Sequence, residues 1–193
     1  MMIGASLENG LEINLLGNIT SVPYIEMTRS LLTQLGIVSS FENQIIKIEP
    51  EKNVSISEMT VESDWSSVSY YYSLVALSKT AKLNLSSYKK ESLQGDAVLA
   101  ELYDKLGVQT TFLENTIVLE KEVESKPRRV SFDLANCPDI AQTIAVTCFG
   151  LGVACDLTGL HTLKIKETDR LEALKNELTK LGATITVTDK SLH

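Results

Sequence analysis

The sequence contains few of the residues that build metal centres or disulfide frameworks. It has three cysteines and two histidines in 193 residues, without a Cys-x-x-Cys or Cys/His spacing suited to zinc. Cys137, Cys148 and Cys155 are odd in number and stand among apolar residues, so we expect buried, reduced thiols. Reduced thiols are typical of cytosolic proteins, and His161 and His193 have no partners at ligand spacing. We therefore predict a cytoplasmic protein without a metal or another cofactor.

Long apolar runs and an excess of positive charge are also absent. The longest apolar run, "IAVTCFGLGVAC", contains two glycines and is shorter than the roughly 18 residues of a membrane span. No basic start followed by an apolar run marks a signal peptide, so we expect no membrane partner. The net charge of -7 argues against nucleic acid, whose phosphates need clustered Lys and Arg. A small anionic substrate is compatible with this charge if a local basic pocket binds it.

What the chain does contain is an internal repeat. Three stretches pass from the end of an amphipathic helix through Leu-Gly into a strand, a turn and a second strand; they are residues 31–49, 102–120 and 178–193. Their glycines, Gly36, Gly107 and Gly182, recur at intervals of roughly 70 residues. Glycine just past a helix favours a left-handed backbone, and the polar pairs that follow favour hairpin turns. Each repeat is therefore predicted to end in helix, strand, turn, strand.

The starts of the repeats are also alike. Residues 64–78 and 137–150 both open with capping residues and continue as mostly apolar helices, which we expect to be buried. Pro138 suits the first helical position, and second helices are predicted from about Gly95 and Asp169. A repeat is then a β-α-β-α-β-β unit. The predicted fold class is α/β (α+β), with buried helices inside, sheets outside, and several units needed to close a core.

The repeats do not divide the chain evenly. Two units are nearly complete between about residues 61 and 193, whereas the first 60 residues hold only the later part of a third. The opening "MMIGASLENG" resembles the tail of a helix, and "KSLH" falls inside the last predicted strand. We therefore expect the chain to be a fragment of a longer protein.

The stretch "KIKETDR", residues 164–170, concentrates three cations and two acids before an amphipathic helix. Asp169 followed by Glu172 has the form of a capping box, with Thr168 as a second candidate cap. A helix start carries partial positive charge and free N–H groups, so Lys166 and Arg170 beside it would form an anion site. The alternative is a solvated, salt-bridged helix start, and spacing alone does not choose between the two.

Asp139 lies in the first turn of the predicted buried helix from Pro138. An acid at that position complements the helix dipole and needs no further explanation. If Asp139 instead lies in a cleft beside Lys166, the pair would form an ionised base.

Other polar residues have structural explanations. Ser21 is a candidate cap for a helix with Pro23 near its start. Asp64, Ser66 and Ser67 compete to cap the next helix, and the sequence alone offers no reason to place chemistry there.

Five stretches together resemble the 5-enolpyruvylshikimate-3-phosphate synthase family, in the same order and over essentially the whole chain. They are "VPYIEMT", "VESDWSSVSYYYSLVALS", "ESLQGDAVLAELYDKLG", "CPDIAQTIAVTCFGLG" and "LKIKETDRLEALKNELTKLGA". The resemblance implies two enolpyruvyl transferase-like lobes of three βαβαββ units each. Residues 1–62 would finish the first lobe, and residues 63–193 would give two units of the second, incomplete at the C-terminus. The chain would cross between lobes near Glu62–Asp64.

The resemblance also implies a reaction. The 5-hydroxyl of shikimate 3-phosphate adds to C2 of phosphoenolpyruvate while C3 is protonated, and phosphate then leaves. Arg170 would bind the phosphoenolpyruvate carboxylate, and Lys166 would lie by the 5-hydroxyl and the leaving phosphate. Glu167 would lie by the carbon that gains and loses a proton, and Asp139 by the hydroxyl as base. Which of Lys166, Glu167 and Asp139 moves which proton is left open.

Three further substrate contacts follow from the resemblance. Ser21 matches a residue that binds the phosphate of shikimate 3-phosphate, and Tyr24 matches one that lines the same pocket. Thr162 stands where many members have Asn, and its hydroxyl offers a shorter contact with fewer donors.

The related UDP-N-acetylglucosamine enolpyruvyl transferases are the rival family, and a non-catalytic fragment is the alternative from another class. We expect the native enzyme to be a monomer and the isolated chain to self-associate.

Overall fold

The computed structural model describes residues 1–17, 19–54, 58–122 and 127–193. The chain divides into two compact units, Met1–Val61 and Glu62–His193, and each has its own apolar core. Their boundary lies next to the predicted crossing point at Glu62–Asp64. The assignment of the units to two lobes of an enzyme stays a prediction. In the part of the chain just given, no helix is long and apolar enough to cross a membrane.

The first unit is a helix followed by a hairpin that completes a small sheet. Its elements are a 3-10 helix at Met2–Ser6, β1 at Leu11–Asn14, α1 at Val22–Gln34, β2 at Ser39–Glu42 and β3 at Ile45–Ile48. The strands are antiparallel in the order β1-β3-β2. Asn43 and Gln44, at the turn between β2 and β3, both have positive φ, 50° and 65°, as a two-residue hairpin turn matched to the strand twist requires.

The second unit begins with a complete helix-strand-helix-hairpin sequence. Its elements are α2 at Trp65–Leu77, β4 at Lys82–Ser86, a 3-10 turn at Gly95–Val98 that continues into α3 at Leu99–Asp104, β5 at Val108–Phe112 and β6 at Thr116–Lys121. The antiparallel sheet has the order β4-β6-β5. Ile117 and Leu119 of β6 are fully buried and alternate with more exposed residues, so this sheet covers the core from outside, as predicted.

The second unit continues with a parallel strand pair joined through a helix. The elements are β7 at Arg129–Asp133, a 3-10 turn at Pro138–Ile140 that runs into α4 at Ala141–Leu151, β8 at Ala154–Thr158, a 3-10 helix at His161–Ile165 and α5 at Arg170–Lys180. Strands β7 and β8 pair in parallel, which requires a crossover, and α4 lies within it. Pro138 occupies the first position of its turn, as predicted.

The predicted repeat is confirmed at its three glycines, whereas its last hairpin is short and the strand expected before α2 is not found. Gly36, Gly107 and Gly182 have φ of 78°, 80° and 97°, the left-handed backbone that glycine adopts without a steric penalty. After Gly182 the expected hairpin is present but short. Thr186 and His193 exchange two backbone hydrogen bonds of 2.8 Å, and Val187 and Leu192 form an antiparallel bridge. No strand precedes α2 within residues 58–64.

Helices α2 and α4 are less buried than their apolar composition predicts. They pack against each other, and Gly150 of α4 leaves room for Leu77, whose side chain comes within 2.6 Å of where a Cβ would stand. Trp65, Tyr72 and the residues around them form the buried face of α2. Its opposite face stays exposed, with Tyr70 at 66% and Leu74 at 60%. Helix α2 is therefore buried on one side, where α3, α4 and the sheet cover it, and is exposed on the other.

Candidate active site

Three helices of the second unit begin around one cleft of about 690 Å³. Ser66 and Ser67 line it from the first turn of α2, Asp139 and Gln142 from the start of α4, and Arg170 from the first residue of α5. The first N–H groups of a helix have no partner within the helix and lie at the positive end of its dipole. The positive ends of three helix dipoles therefore meet at the cleft, beside the cations Lys166 and Arg170.

The start of α5 is set by its cap. Asp169 accepts hydrogen bonds from the backbone N–H groups of Leu171 and Glu172, both at 3.1 Å, so the predicted cap is confirmed and Thr168 is not used. Glu172 does not complete the capping box but pairs with Lys175 at 3.2 Å. Because the cap fixes where α5 begins, Arg170 stands at its first position, at the edge of the cleft.

Asp139 connects the start of α4 to two cations from the "KIKETDR" segment. Its Oδ1 lies 3.1 Å from Lys166 Nζ and 3.1 Å from the Arg170 guanidinium. The side chains of Asp139, Arg170 and Lys166 are 22%, 25% and 32% exposed, so solvent screens them less than a surface pair but a ligand can reach them. The alternative in which Lys166 and Arg170 pair only along their own helix is therefore wrong.

Arg170 also forms a bidentate salt bridge with Glu167. Its Nε and NH2 atoms donate to the two carboxylate oxygens of Glu167, each at 2.9 Å. This hydrogen bonding lowers the pKa of Glu167 below its ordinary value and raises that of Arg170. A guanidinium held in this fork is already in the geometry that binds a ligand carboxylate. An incoming carboxylate would therefore compete with Glu167.

Gln142 supports the same arginine from within α4. With its amide oriented to satisfy both neighbours, the side-chain oxygen accepts from Arg170 NH1 at 3.2 Å, and the nitrogen donates to the Asp139 backbone carbonyl at 3.0 Å. Gln142 was not predicted from the sequence. Its position three residues after Asp139, on the same helical face, is the signal that could have identified it.

Helix α2 contributes further residues to the cleft that were not predicted from the sequence. Asp64 is its cap, accepting from Ser66 N at 2.9 Å and Ser67 Oγ at 2.6 Å, which settles the predicted competition among the three. Yet Ser66, Ser67 and Tyr70 all line the cleft, although no pattern in the sequence predicted chemistry at these residues. The Ser66 hydroxyl donates to the buried Asp96, a residue of the "QGD" stretch.

The remaining candidate contacts lie elsewhere. Ser21 stands at the start of α1 with φ of 58° and makes no side-chain capping bond, so the predicted cap is wrong and the left-handed backbone is unusual for a serine. Tyr24 is half exposed on α1. Thr162 is buried, its hydroxyl has no hydrogen-bond partner in the described residues, and it does not line the cleft. Their roles as substrate contacts stay predictions, as do those of the residues in the cleft.

The sulfur and imidazole groups take no part in the cleft. Cys137, Cys148 and Cys155 are free thiols, the first two buried and the third half-buried, and burial raises the pKa of Cys137 to about 12. His193 is paired with Asp156 at 2.8 Å. Over the described ranges, no group of three or more His, Cys, Asp and Glu residues is arranged to hold a metal ion.

Comparison with known sequences gives a consistent result. A family model described as EPSP synthase (3-phosphoshikimate 1-carboxyvinyltransferase) matches residues 1–193. The 3-phosphoshikimate 1-carboxyvinyltransferase of Bacteroides fragilis is 44% identical over 183 residues, which cover 94% of this chain and 44% of that protein. The protein of the same name from Neisseria meningitidis serogroup C is 31% identical over 184 residues, with 94% and 42% covered. The chain thus spans less than half the length of these curated relatives.

Comparison with solved structures supports the fold. The EPSP synthase of Acinetobacter baumannii matches 98% of this chain and 43% of its own, with a TM-score of 0.73 and 16% sequence identity. At that identity the likeness concerns the fold alone, and it confirms the predicted fold class.

Proposed function

Because the chain belongs to the EPSP synthase family, we propose that the protein transfers the enolpyruvyl group of phosphoenolpyruvate to the 5-hydroxyl of shikimate 3-phosphate and releases phosphate. This reaction belongs to the shikimate pathway of aromatic amino-acid biosynthesis. The observation that carries the proposal is the pairing of Asp139 with both Lys166 and Arg170 where three helices begin. That arrangement combines anion binding with a proton acceptor in one cleft.

Binding of the two substrates requires positive charge, since both are highly anionic. Arg170 offers its guanidinium fork to the phosphoenolpyruvate carboxylate, and Lys166 offers a point charge to the phosphate that leaves. The positive ends of the helix dipoles add to this attraction. Holding the two substrates together removes most of the entropic barrier to their reaction.

The addition step needs one proton removed and one supplied. As the 5-hydroxyl oxygen attacks C2, its proton passes to Asp139, and C3 of phosphoenolpyruvate receives a proton from Glu167 or Lys166. Glu167 is held as a carboxylate by Arg170, which lowers its pKa. When the substrate carboxylate takes that place on Arg170, the pKa of Glu167 rises toward its ordinary value, so a larger fraction of Glu167 carries the proton that C3 receives.

The elimination step reverses the proton transfer at carbon. C3 loses a proton to the residue that supplied it, the C2–O bond to phosphate breaks, and the new double bond gives the enolpyruvyl ether. Lys166 stabilises the departing phosphate by charge. Ser21, Tyr24 and Thr162 complete the proposal as contacts to shikimate 3-phosphate.

The test is a comparison of acceptors. The complete protein that carries this chain is incubated with phosphoenolpyruvate and either shikimate 3-phosphate or UDP-N-acetylglucosamine, and phosphate release is measured. We expect turnover with shikimate 3-phosphate only. Turnover with the nucleotide sugar alone would assign the protein to the rival reaction.

For residues 1–193 by themselves, we propose that catalysis is absent. The family resemblance places further substrate-binding cations outside this segment, and loss of even one such group slows an enzyme by orders of magnitude. Ordinary turnover by the isolated chain would show that the cleft described above is not the active site. A monomeric, cytoplasmic enzyme completes the proposal, and sedimentation of the complete protein tests the monomer.

A further inference from the structure

We propose that Asp96 is a positioning residue that makes the Ser66 hydroxyl a hydrogen-bond acceptor toward the cleft, where it receives a hydroxyl group of the acceptor substrate. The identity of that substrate rests on the proposed function. The pairing of Asp96 with Ser66 is independent of the proposed function, and a separate experiment tests it.

Asp96 is unusual in its burial. It is 6% exposed and is the only charged residue among the buried ones in the described part of the chain. It makes no salt bridge within those residues; instead its Oδ2 accepts the hydrogen of the Ser66 hydroxyl. Burying a carboxylate without a cation is unfavourable, so a surface position or an amide would be more favourable for folding alone. Folding alone therefore does not explain why a carboxylate occupies this position.

The chain on both sides of this pair is held in place by hydrogen bonds. The Gln94 side chain accepts from Trp65 N and donates to the Ser63 carbonyl, both at 2.9 Å. Glu62 accepts from the Trp65 indole at 2.8 Å and from Ser92 Oγ at 2.7 Å. These bonds fasten the segment before Asp96 to the first turn of α2. The approach of Asp96 to Ser66 is therefore built into the local fold.

The bond has a chemical consequence for the cleft. A serine hydroxyl has one hydrogen and two lone pairs. With its hydrogen given to Asp96, Ser66 can only accept from a group in the cleft. Phosphate and carboxylate oxygens of the ligands are themselves acceptors, so the ligand group that fits is a hydroxyl. Neighbouring Ser67 and Ser69 give their hydrogens to the Asp64 cap and to a backbone carbonyl, and neither has a buried carboxylate partner.

The protonation of Asp96 connects this arrangement to pH. Burial raises the pKa of Asp96, and the hydrogen bond from Ser66 opposes the rise. The Asp139 and Asp64 carboxylates add to the rise, and Lys166 opposes it. Below the raised pKa, the protonated carboxyl can donate its own hydrogen to Ser66, whose hydrogen is then released to the cleft. The acceptor role of Ser66 is therefore expected to weaken as the pH falls through the pKa of Asp96.

Kinetics of the complete protein test the proposal through the two Michaelis constants. Ser66→Ala and Asp96→Ala are each expected to raise the KM for shikimate 3-phosphate about tenfold, the value of one hydrogen bond. The KM for phosphoenolpyruvate should change less than about twofold. Asp96→Asn should lose little at neutral pH, because its amide oxygen still accepts from Ser66. In this variant the KM for shikimate 3-phosphate should not rise at acid pH, as it is expected to do in the wild-type protein. Equal effects on both substrates, or none, would overturn the proposal.

The control is Asp104→Asn, an exposed residue at the end of the α3 helix that follows Asp96. It removes one negative charge outside the cleft and should leave both KM values unchanged. A similar KM change in this variant would show that net charge, and not Ser66, is responsible.

A second measurement separates this proposal from the proposed function. Unfolding of the 193-residue chain is followed by fluorescence of Trp65, its single tryptophan, which is adjacent to Ser66. The variants Ser66→Ala, Asp96→Ala and their combination form a double-mutant cycle. Non-additive destabilisation supports the pair even if shikimate 3-phosphate proves not to be the substrate. Additive effects would reject the pair even if the enzyme turns over as proposed.

Discussion

The Asp139 carboxylate and the Arg170 guanidinium lie 3.1 Å apart, although they belong to the starts of two different helices. This contact joins α4 to α5 and brings Lys166 to the same oxygen. It differs from the ion pairs of a solvated helix start, which are confined to one helix and require no partner from elsewhere in the fold.

Replacing Asp139 by Asn should reduce turnover far more than substrate binding. The change removes the proton acceptor and keeps the shape, so we expect kcat to fall by about 100-fold or more while both KM values change little. Steady-state kinetics of the complete protein measure this. Asp189→Asn is the control, since Asp189 is 92% exposed and pairs with Lys164 outside the cleft. A loss confined to KM would mean that Asp139 only binds substrate.

Replacing Glu167 by Gln should separate catalysis from carboxylate binding. The variant removes the charge that competes for Arg170, so the KM for phosphoenolpyruvate should stay constant or fall. Because the proton donor or acceptor at C3 is also removed, kcat should fall by about 100-fold. Glu172→Gln, which alters an ion pair with Lys175 on the same helix, should leave both constants unchanged. A higher KM with normal kcat would exclude Glu167 from proton transfer.

Replacing Asp169 by Ala should destabilise the protein by about 1 kcal/mol, the usual value of an N-cap. Its two hydrogen bonds to the start of α5 are lost, whereas Asp169→Ser keeps a capping oxygen and should retain most of the stability. Denaturant unfolding measures the difference. Thr168→Ala is the matched control, because the neighbouring threonine does not act as the cap. An equal loss in both variants would contradict the assignment of the cap to Asp169.

Stability should depend on pH through Asp96. Its folded pKa is raised above the ordinary value of 3.8, so the stability it contributes is present below the unfolded pKa and is lost as the pH rises through the folded pKa. Wild type should therefore lose stability relative to Asp96→Asn between about pH 4 and the raised pKa. Urea unfolding at several pH values measures this. A constant difference between the two proteins at all pH values would contradict the sign.

The isolated chain should self-associate through the exposed face of α2. Tyr70, Leu74 and Leu77 follow one another at helical spacing and are 66%, 60% and 45% exposed, a contiguous apolar surface of the kind that drives association. Leu74→Lys should shift the chain toward monomer in light scattering at raised concentration. Leu181→Lys changes a leucine just past the end of α5 that is 70% exposed, and it should have less effect. Equal effects would point to net charge instead of the α2 face.

The sequence by itself determined the local features of this protein. Asp169 caps α5 because a carboxylate at that spacing reaches two free N–H groups of the first turn. Gly36, Gly107 and Gly182 end their helices because the backbone there must take positive φ. The hairpins after Gly36 and Gly107, and the helices that carry Asp139 and Arg170, follow from equally local patterns. The family motif is itself such a pattern, which is why membership could be inferred from it.

Only the tertiary structure decided which of these residues meet. Each residue had a local structural explanation: the helix dipole for Asp139, capping for Ser66 and a solvated salt bridge for Arg170. Propensity says nothing about how helix starts are arranged. The packing of α4 against α2 and α5 brings them to one cleft. Hydrogen bonds of Gln94 with the start of α2 hold the neighbouring Asp96 next to Ser66. At Ser21 the local pattern predicted a structural role that the structure does not have. The sequence predicts a cap for α1, but the Ser21 side chain makes no capping hydrogen bond. Contacts between distant residues depend on the whole core, which no short stretch encodes.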